Sequence, residues 1–143
     1  LVAGSTLYLP IAVAGGLFSV GDGHARQGDG EVAVTAIECP MERVDLTFHL
    51  LPNLQITTPR ANTPAGWLTL GLHEDLQQAT LIALEAMVEW MMQRFSLTRH
   101  NALGLASVLV DLRITQIVNE VSGVHALLSH EAIREAELKS NSV

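Results

Sequence analysis

The groups best able to do chemistry crowd into one short stretch. Residues 21–31 read GDGHARQGDGE, so the triplet Gly-Asp-Gly occurs twice, seven positions apart. Asp22, His24, Asp29 and Glu31 lie among six glycines packed into residues 15–30, and Glu38 follows one strand-length later. Glycine lets the backbone take positive φ and approach a ligand closely. Where the chain is extended, Asp22 and His24 share one side, as do Asp29 and Glu31. Carboxylates and an imidazole on one compact loop are ligands suited to a divalent cation, with zinc first and calcium as the alternative. A carboxylate left uncoordinated beside such a cation is placed to act as general base toward its bound water. The same residues also suit a bland role, because Gly-Asp-Gly is a common turn string in which Asp caps its own backbone.

Two other chemistries fit less well. A phosphate cradle would need a Lys-Ser/Thr pair or a G-x-G-x-x-G run into a helix, and the loop's acids would repel an anion. Cys39 is the single thiol, but it precedes Pro40 in an expected turn and has no neighbouring His in sequence to activate it.

The elements that must position this loop divide the chain in two. Nine of the eleven glycines (4, 15, 16, 21, 23, 28, 30, 66 and 71) and all five prolines fall in residues 1–72. Short strands and turns therefore come first and helix-permissive sequence second. Strands are expected at Leu7–Ala12, at Glu31–Glu38 and at Val44–Leu50, where Val44, Leu46, Phe48 and Leu50 alternate with polar residues. The interval Cys39–Glu42 suits a hairpin-like connection, Pro52–Gly66 an irregular excursion, and Trp67–Leu72 another strand.

From His73 to Phe95, Leu76, Thr80, Ala83, Met87, Trp90 and Met91 recur every three or four residues, which predicts a long helix. Glu74 and Asp75 in its first turn and Arg94 in its last would complement the helix dipole. The Met-Trp cluster at 87–92 reads as core or interface. A second helix is expected from the N-cap Thr98 to about Val110. Strands at Leu112–Val118 and Gly123–Ser129 should follow, then a short polar helix from His130 and a frayed tail over Lys139–Val143. The expected fold is α+β: sandwich-like β layers with Gly-rich loops in the first half, and two packed helices in the second.

The 143 residues (15.4 kDa) allow one domain with a substantial core. Fifteen acids against eight bases give a net charge of −7 and a pI near 5.2. The bases are scattered singly, so no stripe exists to neutralise phosphates and a nucleic-acid partner is not expected. At 48% apolar and 16% charged residues, the composition argues against disorder. A mean hydropathy of +0.30 suggests apolar surface buried against further polypeptide. No apolar run reaches the roughly 18 residues a membrane span needs, because Pro10 and Gly15-Gly16 interrupt Leu7–Val20. No basic region precedes that stretch as a signal peptide would require. The lone cysteine fits a reducing, cytoplasmic setting. The opening Leu1-Val2-Ala3, without an initiator Met, suggests a piece of a longer protein.

The run from Phe18 to Glu31 (FSVGDGHARQGDGE), continued by Ala-Ile-Glu at 36–38, resembles the signature of the acetamidase/formamidase family. The resemblance continues through Gly71–Leu76 (GLHEDL), Met87–Trp90 (MVEW), Leu97–Arg99 (LTR), Val110–Asn119 (VDLRITQIVN) and Gly123–His125 (GVH). It covers roughly residues 5–135 and corresponds to the C-terminal portion of such a protein. The resemblance implies hydrolysis of short linear amides, formamide or acetamide, to a carboxylate and ammonia. It implies Asp22 and His24 as metal ligands. Asp29, Glu31 and Glu38 match the positions for catalysis, and Gln27 and Gly23 those for substrate contact. It also implies a small amide as substrate, and as partner either a second copy of the chain or the family's N-terminal half. The alternatives are a truncated, non-catalytic homologue that binds a partner, and a structural metal-binding module.

Two positions depart from the family pattern. Thr98-Arg99-His100-Asn101 lacks the usual acidic pair and so a capping-box carboxylate, and His73 stands where an acidic or aromatic residue is common. His49 falls on the polar face of its segment, and His100, His125 and His130 lack ligand partners at recognisable spacing, so surface or capping roles are expected. Asp111 and Arg113 are spaced to pair with each other.

Overall fold

The computed structural model describes the backbone of residues 1–140 and the side chains of residues 1–135. In chain order the elements are β1 (Thr6–Tyr8), β2 (His24–Arg26), β3 (Ile37–Glu38), β4 (Arg60–Asn62) and β5 (Gly66–His73), then α1 (Leu76–Phe95) and α2 (Arg99–Leu109). They end with β6 (Val110–Gln116), β7 (Ser122–Ser129) and α3 (His130–Ser140). Five strands form one antiparallel sheet in the order β1-β4-β5-β7-β6, and β2 and β3 form a separate two-stranded ribbon. The architecture is α+β, with its two main helices late in the chain, as the sequence pattern predicts.

Local chemistry sets the helix boundaries. α1 starts at Leu76 rather than His73, so Glu74 and Asp75 precede its first turn instead of lying in it: Asp75 is the cap, accepting from the Gln78 N–H at 2.9 Å while its own N–H donates to His73 Nδ1 at 2.9 Å. The departure at His73 thus supports the cap. At the other end, Ser96 takes a left-handed conformation (φ 53°) that stops the helix. Thr98 caps α2 by accepting from the Asn101 N–H at 3.3 Å, so the cap survives without the carboxylate of a capping box. Arg99 forks onto both carboxylate oxygens of Glu85, its Nη2 2.6 Å from Oε2, and joins the start of α2 to the middle of α1. That hydrogen bond, opposed by slight burial, holds the Glu85 carboxyl below the ordinary carboxylate range.

The core lies between α1 and the sheet. Met87, Val88 and Met91 pack with Val124, Ala126 and Leu128 of β7, and the Trp67 and Trp90 rings meet at 4.8 Å between centroids. The Met-Trp cluster is therefore core. Thr69, buried on β5, donates to the Ala83 carbonyl at 2.7 Å. At Gly71 the helix comes so close that a Cβ would collide with the Ala79 carbonyl oxygen and sit 2.6 Å from the Ala83 nitrogen.

The first half departs from its periodicity. The strand expected at Leu7–Ala12 is limited to Thr6–Tyr8, since Pro10 offers no N–H to a ladder. Of Glu31–Glu38 only Ile37–Glu38 pairs, because positive φ at Glu31 (43°) and Val34 (58°) breaks the extended run. The alternation at Val44–Leu50 forms no strand. No neighbouring strand takes up its ladder bonds, and Val44, Leu46, Phe48 and Leu50 are all exposed. The hairpin over Cys39–Glu42 is likewise absent, because β3 pairs with β2 instead. Within Pro52–Gly66, β4 forms in place of a wholly irregular excursion. In the second half, α3 runs through Lys139 and Ser140, and the rest of the expected tail, 141–143, lies outside the described residues. Among the described residues no helix is long and apolar enough to cross a membrane.

Gly71→Ala should lower the unfolding free energy by about 1–3 kcal/mol through overpacking against α1. Gly104→Ala, on α2 with open space around the added methyl, should raise it by about 0.5–1 kcal/mol. Denaturant titration of the two variants checks both signs.

Candidate metal centre

The β2–β3 ribbon places His24 directly opposite Glu38, with a register shift between His24 and Arg26. His24 Nε2 lies 2.9 Å from Glu38 Oε1 and 3.5 Å from Asp22 Oδ1. Asp22 reaches back because its own backbone is left-handed (φ 58°) between two glycines. The Met41 side chain lies against Gly23, where an added Cβ would stand 2.8 Å from its Cγ unless that exposed side chain moved. The His24 side chain is 12% exposed against 84% for Asp22 and 65% for Glu38, so the imidazole is sheltered and the carboxylates meet solvent.

One ligand atom from each of these three residues lies within 4.8 Å of the others. Ligands at zinc distances of about 2.0–2.1 Å around a tetrahedral ion stand about 3.3 Å apart. The two separations measured from His24 bracket that value. One imidazole and two carboxylates also match zinc better than calcium, which takes six to eight oxygens. The donor set fits.

The other expected site residues are placed differently. Asp29 does not join the cluster; its Oδ2 lies 3.8 Å from Arg113 Nη1 on β6. Glu31 is half-buried, and its carboxylate has no hydrogen-bond or ion-pair partner among the described residues. The i, i+2 rule fails for Asp29 and Glu31 because Gly30 (φ 96°) and Glu31 both leave the extended region. Gln27 is exposed on the loop, and Cys39 is a half-buried free thiol. Arg113 does not pair with Asp111 as its spacing suggests, because it is drawn to Asp29 instead.

Two histidines have firmer roles than their spacing implies. The His130 Nε2–H donates to the Thr63 carbonyl at 3.0 Å, tying the start of α3 to the β4–β5 turn. His125, half-buried on β7, lies directly across from Arg113, and its Nδ1 is 2.8 Å from Thr115 Oγ1. Burial pushes the His125 imidazole below its ordinary value; the Asp29 carboxylate opposes this, while Arg113 and the amino terminus reinforce it. The partners of His125 come from strand register, which no spacing within its own segment reveals.

The profile of the acetamidase/formamidase family matches residues 1–129. The chain belongs to this family. Its fold is similar to the acetamidase of Yersinia enterocolitica, at 31% identity and a TM-score of 0.78 over 90% of this chain and 38% of that one. It is also similar to an acetamidase from Bacillus halodurans, at 28% identity and a TM-score of 0.71 over 92% of this chain and 44% of that one. A predicted acetamidase/formamidase from the thermophile Thermoanaerobacter tengcongensis matches at 25% identity and a TM-score of 0.77, again over 92% and 44%. The chain thus spans about two fifths of the length of these acetamidase-family structures. No curated protein matches it.

A histidine whose folded-state value is depressed costs stability once the unfolded chain can protonate. The loss begins near the unfolded value and is complete below the folded one. Lowering the pH from about 7.5 to about 5 should therefore destabilise the protein, and His125→Gln should flatten that slope. Unfolding midpoints of both proteins across this range check the sign; equal slopes would exclude His125 as a contributor.

Proposed function

We propose that this acetamidase/formamidase-family chain carries part of the site for hydrolysing a small linear amide to its carboxylate and ammonia, with Asp22, His24 and Glu38 holding a divalent cation, zinc by preference. The observation that carries the reading is the convergence of these three donors across the β2–β3 ribbon, within the stretch that the family profile matches. A bound cation would polarise the amide carbonyl and make water a better nucleophile.

The chain's own residues supply the remainder. His24, sheltered and flanked by two carboxylates, offers Nε2 on the side where both carboxylates lie. Asp22 and Glu38 bring two negative charges that the cation offsets. Glu38, expected from the resemblance among the catalytic carboxylates, stands with the ligands in this reading. Glu31 is then the loop carboxylate with no partner among the described residues, suited to take a proton from water and return it to the departing amine. Asp29, paired with Arg113, is less available for that work. The exposed Gln27 and the closely packed Gly23 line the same loop and suit contact with the amide. Residues 1–51 expose many apolar side chains, among them Phe18, Val32, Val44 and Phe48. Further polypeptide of the family's length, or a second copy of the chain, would cover them.

Ammonia release from formamide and acetamide, measured with added zinc alongside bound metal, tests this reading. His24→Ala and Asp22→Ala should lose both metal and turnover. Glu31→Gln should keep the metal and lose roughly 10²–10⁴-fold in rate. Metal bound without turnover would favour a structural metal site, and neither metal nor turnover a partner-binding module. Full activity in His24→Ala would sink the metal-assisted mechanism.

A further inference from the structure

Among the described residues, the stretch 9–51 hydrogen-bonds to the five-stranded sheet at one point only. The Gly30 N–H donates to the Thr115 carbonyl at 3.0 Å, and the Gly30 carbonyl accepts from the Ile117 N–H at 3.0 Å. These two bonds form a parallel bridge onto the outer strand β6, where its register with β7 shifts between Ile114 and Gln116. Gly30 is buried there at φ 96°, a conformation that a side chain would strain.

Side chains converge on the same spot. Asp29, adjacent to the bridge, faces Arg113 at 3.8 Å, and Arg113 is the cross-strand partner of His125. His125 in turn is bonded to Thr115, the residue whose carbonyl receives Gly30. We propose that Asp29, Arg113, Thr115 and His125 form a latch that positions the Gly-rich loop, and with it the Asp22–His24–Glu38 donor set, against the sheet. This rests on the metal reading given above for its consequence but not for its geometry.

The physical argument is one of attachment. Two backbone bonds at the rim of a sheet compete with water and by themselves hold a glycine-rich loop weakly. An ion pair at Asp29 and a side-chain bond fixing Thr115 restrict both partners of that bridge, so the ordering cost of the donors is met before a cation arrives. None of the latch residues touches a donor, so their effect on a cation would pass through the loop backbone at Gly30. Asp29 is thus a positioning residue, acting through Gly30 rather than on the amide.

Arg113→Met and Thr115→Val test the latch, with Arg113→Lys as the conservative rescue. Amide hydrogen exchange at Gly30 and Ile117 reads the latch without metal, and zinc affinity by chelator competition reads its consequence; circular dichroism confirms folding. Exchange at both amides should quicken about 2–5-fold in Arg113→Met and in Thr115→Val, zinc should bind more weakly by a similar factor, and Arg113→Lys should recover part of each. Unchanged exchange in both variants overturns the latch. Faster exchange with unchanged zinc affinity overturns its role in positioning the donors. If the parent protein binds no zinc, the metal reading fails alone, and the exchange result still decides the latch.

Discussion

How closely α1 lies on β5 governs the rest of the structure. The absence of a side chain at Gly71, opposite Ala79 and Ala83, lets the helix backbone approach the strand directly. Thr69 then reaches the Ala83 carbonyl, and Met87, Met91 and Trp90 fill the space further along. With α1 fixed, β5 and β7 share one covered face, and β6 can pair with β7 at the rim. That rim is the strand to which Gly30 attaches. The helix supplies none of the donors of the candidate centre, yet the platform beneath the loop exists because of it.

Negative charge is concentrated around the candidate centre. Asp22, Asp29, Glu31 and Glu38 fall within seventeen residues of a chain whose net charge is −7. Arg113 answers one of them and the His24 imidazole lies between two others. The imidazole of the cluster is sheltered, and its two carboxylates face solvent.

The second half of the chain is legible in the sequence because its signals are local. Helix period, the cap at Thr98 and the alternation over Leu112–Val118 each depend on residues within a few positions of one another. The first half is not. Val44–Leu50 has a strand's alternation but no strand beside it, and Glu31–Glu38 is broken by positive φ at two non-glycine residues. In the candidate centre, Asp22 and His24 are readable from the motif. The nearness of Glu38 depends on the β2–β3 pairing, and the environment of His125 on the β6–β7 register. Both are non-local facts that spacing does not encode.

The order of the strands carries a consequence for how the protein is made. Synthesis proceeds from the amino terminus, so the Gly-rich loop emerges long before β6, the strand that receives it. The sheet cannot be completed until β7, paired with both β5 and β6, has left the ribosome. Until then the apolar side chains of residues 1–51 and the acidic loop have no platform. The attachment of the loop at Gly30 therefore waits for β6, whereas the β2–β3 pairing that brings His24 to Glu38 lies within fifteen consecutive residues and does not.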